Sequence, residues 1–334
     1  FFRQMAIMVA SGIPFITALT LASEQVESPL LQGILHTMGR DINNGVPFSE
    51  AASRFPVVFD EVTVSLLKSG EATGQMQQVL GDLADHTEKS AQFGTRVRAA
   101  FLYPTFVVAI MVVVGIIMTV VVVPRLKDSF ADTSFTLPVT TQVLVSLSNA
   151  LIHYWYLIAA GLLMIFLLLR SYFVSVGGHR VLFSIQTTTP FLRQVTFHSY
   201  LVRFASLLAM LIRAAVPLPE ALRIVGDSFE NHIWAKTINS VRQEVERGVP
   251  LSAALSRHPI FPEPLVQMIG VGEQTGQMEA TLTNMANFYE DQTNASIKAL
   301  ATLIEPVALV VVSLAVGFVV LAVILPIYSI TQQL

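Results

Sequence analysis

Three long stretches of the chain are almost wholly apolar, and they separate segments of mixed polarity. Residues 105–123, 151–169 and 307–325 contain no Asp, Glu, Lys or Arg and are rich in valine, isoleucine and leucine. A helix needs roughly 20 apolar residues to cross a hydrocarbon core about 30 Å thick. An isolated strand cannot satisfy its own backbone polar groups in lipid. The pattern therefore predicts three membrane-spanning helices.

Between these stretches, apolar residues recur at steps of three and four, the spacing of an amphipathic helix. The spacing predicts helices over 2–11, 15–26, 29–44 and 59–69, and a long helix that runs from Gln75 into the first span. Gly45 and Pro47 are typical of a helix end followed by a residue that blocks continuation. Each polar segment is thus predicted to be a small all-α bundle.

The chain also contains an internal repeat. FFRQMAIMVASGIPFITAL at the amino terminus matches FASLLAMLIRAAVPLPEAL with an offset of 203 residues, from Pro14 to Pro217. GVPFSEAASRFP matches GVPLSAALSRHP at the same offset, and GEATGQM matches GEQTGQM 202 residues later, from Gly70 to Gly272. The repeating unit is a polar domain of about a hundred residues followed by a transmembrane helix.

Flanking charge orients the predicted spans. Basic residues lie before the first span and after the second, which favours the cytoplasm for residues 1–100 and 171–302. Two spans lie between the copies, so both copies face the same side. The predicted order is a first cytoplasmic bundle (1–100), transmembrane helix (101–123), extracytoplasmic loop (124–150), transmembrane helix (151–169), second cytoplasmic bundle (170–302), transmembrane helix (303–326) and short extracytoplasmic tail (327–334).

Composition agrees with a membrane protein. Hydrophobic residues make up 53% of the chain and charged residues only 13%, about half the usual charged share. A net charge of −3 is no electrostatic footprint for nucleic acid. The absence of cysteine excludes disulfides, iron–sulfur clusters and thiol catalysis. The chain begins at Phe1 without an initiator methionine, and we expect a preceding segment to be missing.

Sequence motifs for chemistry are absent. The chain has no G-x-x-x-x-G-K-[ST] phosphate loop and no G-x-G-x-x-G motif, and its seven histidines show no metal-ligand spacing. No nucleophile elbow is present. We therefore expect no catalytic residues, no metal site and no bound cofactor.

The repeated Gly-Glu-x-Thr-Gly motif is the best site candidate, as either a packing motif or a partner contact. One packing interpretation is that two glycines four residues apart clear a helix face. The other is that the first glycine ends a helix and the threonine caps the next. In the functional interpretation the two glutamates contact a partner, and glutamine in their place should leave folding intact. The motif residues are Gly70, Glu71, Thr73 and Gly74, and then Gly272, Glu273, Thr275 and Gly276.

A second candidate lies at the predicted membrane edge. Pro104 and Pro306 each fall just inside a span, where they indicate either a helix start or a hinge between the bundle and the membrane helix. Glu305 adds an acid at that depth, where ionisable residues are functional candidates.

These motifs together resemble the type II secretion system protein F family, which includes the inner-membrane platform proteins of type IV pilus assembly. The resemblance covers essentially the whole chain. One departure is Ala214-Ala215, where a small residue and a glycine usually precede Val-Pro, and the polar segment that usually precedes the first motif is absent. The resemblance implies a multi-pass bacterial inner-membrane protein with two cytoplasmic helical bundles.

The resemblance also implies partners. They are a hexameric assembly ATPase in the cytoplasm, pilin or pseudopilin subunits, other inner-membrane assembly proteins and further copies of this chain. The predicted function is to couple the ATPase to the insertion of subunits into a filament. The alternatives are a small transporter or channel component, which the few spans and the parallel repeat disfavour, and a membrane enzyme.

Overall fold

The computed structural model describes residues 1–117 and 190–331, together with single positions between 120 and 168. These residues form helices joined by short turns, and no strand occurs among them. The helices are α1 (Phe2–Ala10), α2 (Phe15–Glu24), α3 (Pro29–Asn43), α4 (Phe48–Ser53), α5 (Glu61–Thr73), α6 (Met76–Ile117), α7 (Pro190–Arg213), α8 (Leu218–Asp227), α9 (His232–Glu246), α10 (Leu251–Ser256), α11 (Glu263–Thr275) and α12 (Met278–Thr331).

Local sequence signals explain most of the helix ends. Ser28, Asp60 and Asn231 each cap a helix by accepting a hydrogen bond from a backbone N–H in its first turn. Gly45, just after α3, and Gly248, just after α9, take the left-handed backbone conformation that a helix C′ position favours. The predicted helices over 2–11, 15–26, 29–44 and 59–69 are confirmed, with ends shifted by up to four residues. The short helix α4 was not predicted.

The polar segments lie together in one compact unit. It consists of Phe1–Thr95, here called the first segment, and Phe197–Thr293, the second segment. Their buried side chains form a single hydrophobic cluster, to which the first segment contributes Met5 and Leu80 and the second Phe204. The sequence analysis treats the segments as two bundles, whereas here they share one core.

The other unit comprises Arg96–Thr196 and Asn294–Leu334. Its described part includes residues 96–117 of α6 and 294–331 of α12, and large apolar side chains there are exposed. Leu102 is 73% exposed and Leu314 is 69% exposed. Exposed apolar surface on this scale is typical of a membrane or protein contact.

Two helices among the described residues are long and apolar enough to cross a membrane, Met76–Ile117 and Arg193–Arg213. Only 6% of the apolar window is buried in the first, against 44% in the second. The second buries Leu201, Phe204 and Leu208 completely, so it is a core helix of the compact unit. The first agrees with the span predicted over 105–123, as far as Ile117.

The remaining predicted membrane segments are described only in part. The span predicted over 151–169 lies outside the described residues except for single helical positions, as does the loop over 124–150. Helix α12 contains the third predicted span and continues to Thr331, beyond the expected end at residue 326.

Candidate functional site

The glutamates of the repeated motif both cap a neighbouring short helix. Glu71, on α5, accepts hydrogen bonds from the backbone N–H groups of Phe48 and Ser49 and from the Ser49 hydroxyl, with 3.3 Å from the Ser49 nitrogen. These donors form the first turn of α4. That helix follows Pro47, which offers no side-chain cap of its own. A carboxylate at a helix amino terminus also interacts favourably with the helix dipole.

The second segment repeats this arrangement. Glu273, on α11, accepts from the backbone N–H groups of Leu251 and Ser252, the latter at 3.1 Å, and from the Ser252 hydroxyl. Helix α10 likewise follows a proline, Pro250, without a side-chain cap. Both carboxylates are therefore committed to contacts within the chain.

The glycines of the motif have two different roles. Gly70 and Gly272 lie inside α5 and α11, where the next helix packs closely. A Cβ at Gly70 would lie 2.9 Å from Val79 Cγ2, and one at Gly272 would lie 2.8 Å from Thr281 Oγ1. Gly74 and Gly276 end these helices in the left-handed conformation, each with φ of 71°. Nothing lies within 4 Å of a Cβ built at either of those two positions.

The threonines of the motif do not cap the following helix. The Thr73 hydroxyl donates to the carbonyl of Ser69 at 2.8 Å, and the Thr275 hydroxyl donates to the carbonyl of Val271 at 2.8 Å. Each bond runs back along the threonine's own helix. The structure thus differs from the interpretation in which Gly70 ends a helix and Thr73 begins the next one.

A groove of about 990 Å³ opens beside the first motif. Its wall is mainly apolar, and Lys68 and Glu50 are charged groups on its rim. Its lining includes Phe15, Pro47, Phe48, Glu71 and Met76. Because Glu71 is held by the start of α4, this groove places its apolar wall, more than a free carboxylate, within reach of a partner.

Arginine side chains hold the two segments together. Arg213, at the end of α7, donates to Asp82 of the first segment at 2.7 Å and from Nε to Glu279 of the second at 2.9 Å. Burial raises the pKa of the Asp82 carboxyl, and the positive charge of Arg213 opposes that rise. Arg223, on α8, donates to Glu61 of the first segment at 2.8 Å.

These contacts were missed by the sequence analysis, although Arg213 carries a usable signal. It is a single charge in the apolar run LLAMLIRAAVP, at a position where the first copy has Ala10. A charge that appears in only one copy of a repeat indicates a contact that only that copy makes.

A cavity of about 450 Å³ also lies between the segments. His86, Lys89 and Arg203 line it together with Asp60. Burial lowers the pKa of the His86 imidazole, and the positive charges of Arg203 and Lys89 lower it further against the influence of Asp60. Among the described residues, no group of three or more His, Asp or Glu side chains is placed to hold a metal ion.

The prolines at the predicted membrane edge do not begin helices. Pro104 lies well inside α6, which starts at Met76, and Pro306 lies inside α12, which starts at Met278. An internal proline removes one backbone hydrogen bond and bends a helix. Beside Pro104, the Thr105 hydroxyl donates to the Phe101 carbonyl at 2.7 Å, an arrangement that also favours bending. Glu305 is in α12, and its side chain lies outside the described set.

Comparison with known proteins places the chain in a family. The model for type II secretion system (T2SS), protein F matches residues 1–124 and again residues 204–326. The chain belongs to this family.

Similar proteins carry pilus and secretion names. Type IV pilus assembly protein PilC of Myxococcus xanthus is 30% identical over 98% of this chain and 79% of its own length. Type II secretion system protein F of Pseudomonas aeruginosa is 31% identical over 99% of this chain and 82% of its own. Type IV pilus assembly protein TapC of Aeromonas hydrophila is 28% identical over 98% of this chain and 79% of its own.

Proposed function

We propose that this chain is the inner-membrane platform protein of a type IV pilus or type II secretion machine. The observation that carries the proposal is the family match over both halves of the chain, at 1–124 and 204–326. The names of the similar pilus and secretion proteins point to the same role. In this role the chain performs no covalent chemistry.

The proposed topology has three spans, with both polar segments in the cytoplasm. The exposed apolar surfaces of α6 and α12 support membrane insertion, since Phe106 is 62% exposed and Val307 is 63% exposed. Basic side chains before the first predicted span, Arg96 and Arg98 among them, favour the cytoplasmic side.

We also propose that the polar segments are two homologous domains, each followed by a membrane helix. The starts of α2, α3 and α4 recur 203 residues later in α8, α9 and α10. The starts of α5 and α6 recur 202 residues later in α11 and α12. The Gly-Glu-x-Thr-Gly motif would then be a packing device that fixes the short helix of each domain.

The proposed partners are a hexameric assembly ATPase on the cytoplasmic side and pilin or pseudopilin subunits in the membrane. Other inner-membrane assembly proteins and further copies of this chain would complete the assembly. Movement of the compact unit would reach the membrane through α6 and α12, because each is one continuous helix shared with the apolar unit. Pro104 and Pro306 are the proposed bending points.

ATPase coupling can be tested with the full chain in liposomes. Addition of the assembly ATPase from the same organism should give a higher rate of ATP hydrolysis than addition to empty liposomes, because the platform engages the motor. The alternative function, transport, predicts substrate uptake by the same liposomes without the ATPase. Uptake together with an unchanged hydrolysis rate would overturn the platform proposal.

The topology can be tested with a reporter enzyme that is active only outside the inner membrane. Fusions after Gln78 and after Asn284 should be silent, since both positions lie in the proposed cytoplasmic segments, and a fusion after Ser134 should be active. Activity at Asn284 with silence at Gln78 would contradict an even number of spans between the segments.

A further inference from the structure

The two segments touch each other through surfaces that do not correspond. The first segment uses α5 and the start of α6, and the second uses the end of α7 and α8. Three cross-segment contacts define this interface: Glu61 with Arg223, Ser69 with the carbonyl of Ala214, and Asp82 with Arg213. Such a contact between unlike surfaces is heterologous, in contrast to a two-fold contact that uses each surface twice.

A heterologous contact between two copies leaves one example of each surface unused. The repeat offsets identify the unused counterparts of the six interface positions, and all six are exposed. They are Glu263, Val271 and Asn284 in the second segment, and Thr20, Ser11 and Ala10 in the first.

Burial along the matching helix faces differs in the same sense. On α5, Leu66 is fully buried, whereas its counterpart on α11, Met268, is 38% exposed, and the neighbouring Val271 is 52% exposed. On α7, Met210 is 6% exposed, whereas its counterpart on α1, Ile7, is 58% exposed. Both unused surfaces thus present large apolar side chains to solvent.

We infer that a second copy of this chain covers these surfaces, with α11 of one copy docking on α1 and α2 of the next. The occupant follows from the interface within the chain, where the homologous helices already make this contact. Met268 and Val271 would face Ile7 and Ser11 of the neighbouring copy, as Leu66 and Ser69 face Met210 and Ala214 within one chain.

The contact between copies is more apolar than the contact within the chain. Where the internal interface pairs Asp82 with Arg213, the counterparts are Asn284 and Ala10, and where it pairs Glu61 with Arg223, they are Glu263 and Thr20. No ion pair is therefore reproduced. We expect association between copies to be weaker than the internal contact and to persist at high salt, which screens only charges.

One pair of counterparts is electrostatically unfavourable unless it is compensated. Lys89 donates to Asn287 at 3.3 Å within the chain, and the corresponding pair between copies is Asp291 with Asp85. Arg3 already holds Asp85, and it also donates to Glu88 at 2.9 and 2.8 Å. The Arg3 charge would thus permit Asp291 to approach.

A head-to-tail contact can continue from copy to copy until a ring closes. If the membrane topology proposed above is correct, all copies share one bilayer, so the assembly extends within the membrane plane. The docking of α11 on α1 and α2 does not depend on that topology or on a role in filament assembly.

Cysteine cross-linking of the full chain in mild detergent tests the docking, since the chain has no native cysteine. The variant S11C/V271C should give a ladder of two, three and more chains after oxidation, because each copy carries both halves of the contact. An equimolar mixture of the two single variants should give dimers only. The matched control S69C/A214C should form its disulfide within one chain and keep the monomer mass.

A second comparison tests the apolar face itself. Addition of Met268→Arg to S11C/V271C should reduce the ladder at least tenfold, whereas Val57→Arg, at a site 93% exposed outside both surfaces, should leave it unchanged. Dimers from V271C alone would indicate a two-fold contact and overturn the proposal. A monomeric S11C/V271C beside an efficiently cross-linked S69C/A214C would also overturn it.

Discussion

The first and second segments share the interactions that form each bundle and differ in the interactions that join the bundles. Arg54 pairs with Asp41 at 2.9 Å in the first, and Arg257 pairs with Glu244 at 2.7 Å at the corresponding positions of the second. Arg213 and Arg223, in contrast, have Ala10 and Thr20 as counterparts. Residues that are alike in both copies therefore build the fold, whereas unlike residues specify the contact between copies.

The comparison is sharpened most by removal of the shared glutamates. Glu71→Ala and Glu273→Ala should each lower the free energy of unfolding by about 2–3 kcal/mol, because each leaves two backbone N–H groups and a hydroxyl without their charged acceptor. Urea unfolding in detergent, followed by circular dichroism, measures the loss. The two losses should agree, because the two capping arrangements agree.

The corresponding glutamine variants refine this test. A glutamine oxygen can still accept hydrogen bonds, but its NH₂ group cannot, so Glu71→Gln should lose part of that stability. This differs from the sequence-based expectation that glutamine leaves folding intact, which treated Glu71 as a surface charge. Glu24→Ala, at an exposed position of the first segment, should change stability by less than about 0.5 kcal/mol. Equal effects at Glu24 and Glu71 would refute the capping role.

The bundle helices were predictable because their signals are local. Apolar spacing gave α1, α2, α3 and α5, and Gly45 marked the end of α3 correctly. Helix α4 was missed because its six residues are too few to show a period, and its start is fixed by Glu71, more than twenty residues later. The long helix through Pro104 was predicted as continuous, but the proline itself was also interpreted as a helix start.

The contact between the segments was not predictable from periodicity. A hydrophobic pattern shows which face of a helix is buried but not which other helix covers it. Asp82 lies on α6 and its partner Arg213 ends α7, and the two are separated by a membrane-spanning region in the sequence. The Gly-Glu-x-Thr-Gly motif was found by repetition, but its donors on α4 and α10 could be identified only in three dimensions.

The ends of α1 and α7 offer a comparison of opposite sign. In both, the chain leaves the helix through the same pair of backbone bonds: Gly12 N to Val9 O at 3.0 Å with Ile13 N to Met8 O at 3.1 Å, and their counterparts from Ala215 and Val216, each at 2.9 Å. The pivotal residue is left-handed in each case. Gly12 has φ of 79°, and Ala215 has φ of 58°.

Exchange of these two residues should therefore shift stability in opposite directions. A left-handed conformation costs an L-residue roughly 1–2 kcal/mol, and glycine gives back about 0.5–1 kcal/mol through the entropy of the unfolded chain. Ala215→Gly should raise the free energy of unfolding by about 0.5–1 kcal/mol, and Gly12→Ala should lower it by a similar amount. The same urea titration measures both, and the double exchange should be nearly neutral because the sites make no shared contact. A loss of stability in Ala215→Gly would show that the Ala215 methyl contributes packing that outweighs the strain, and the two helix ends would then differ in more than their pivotal residue.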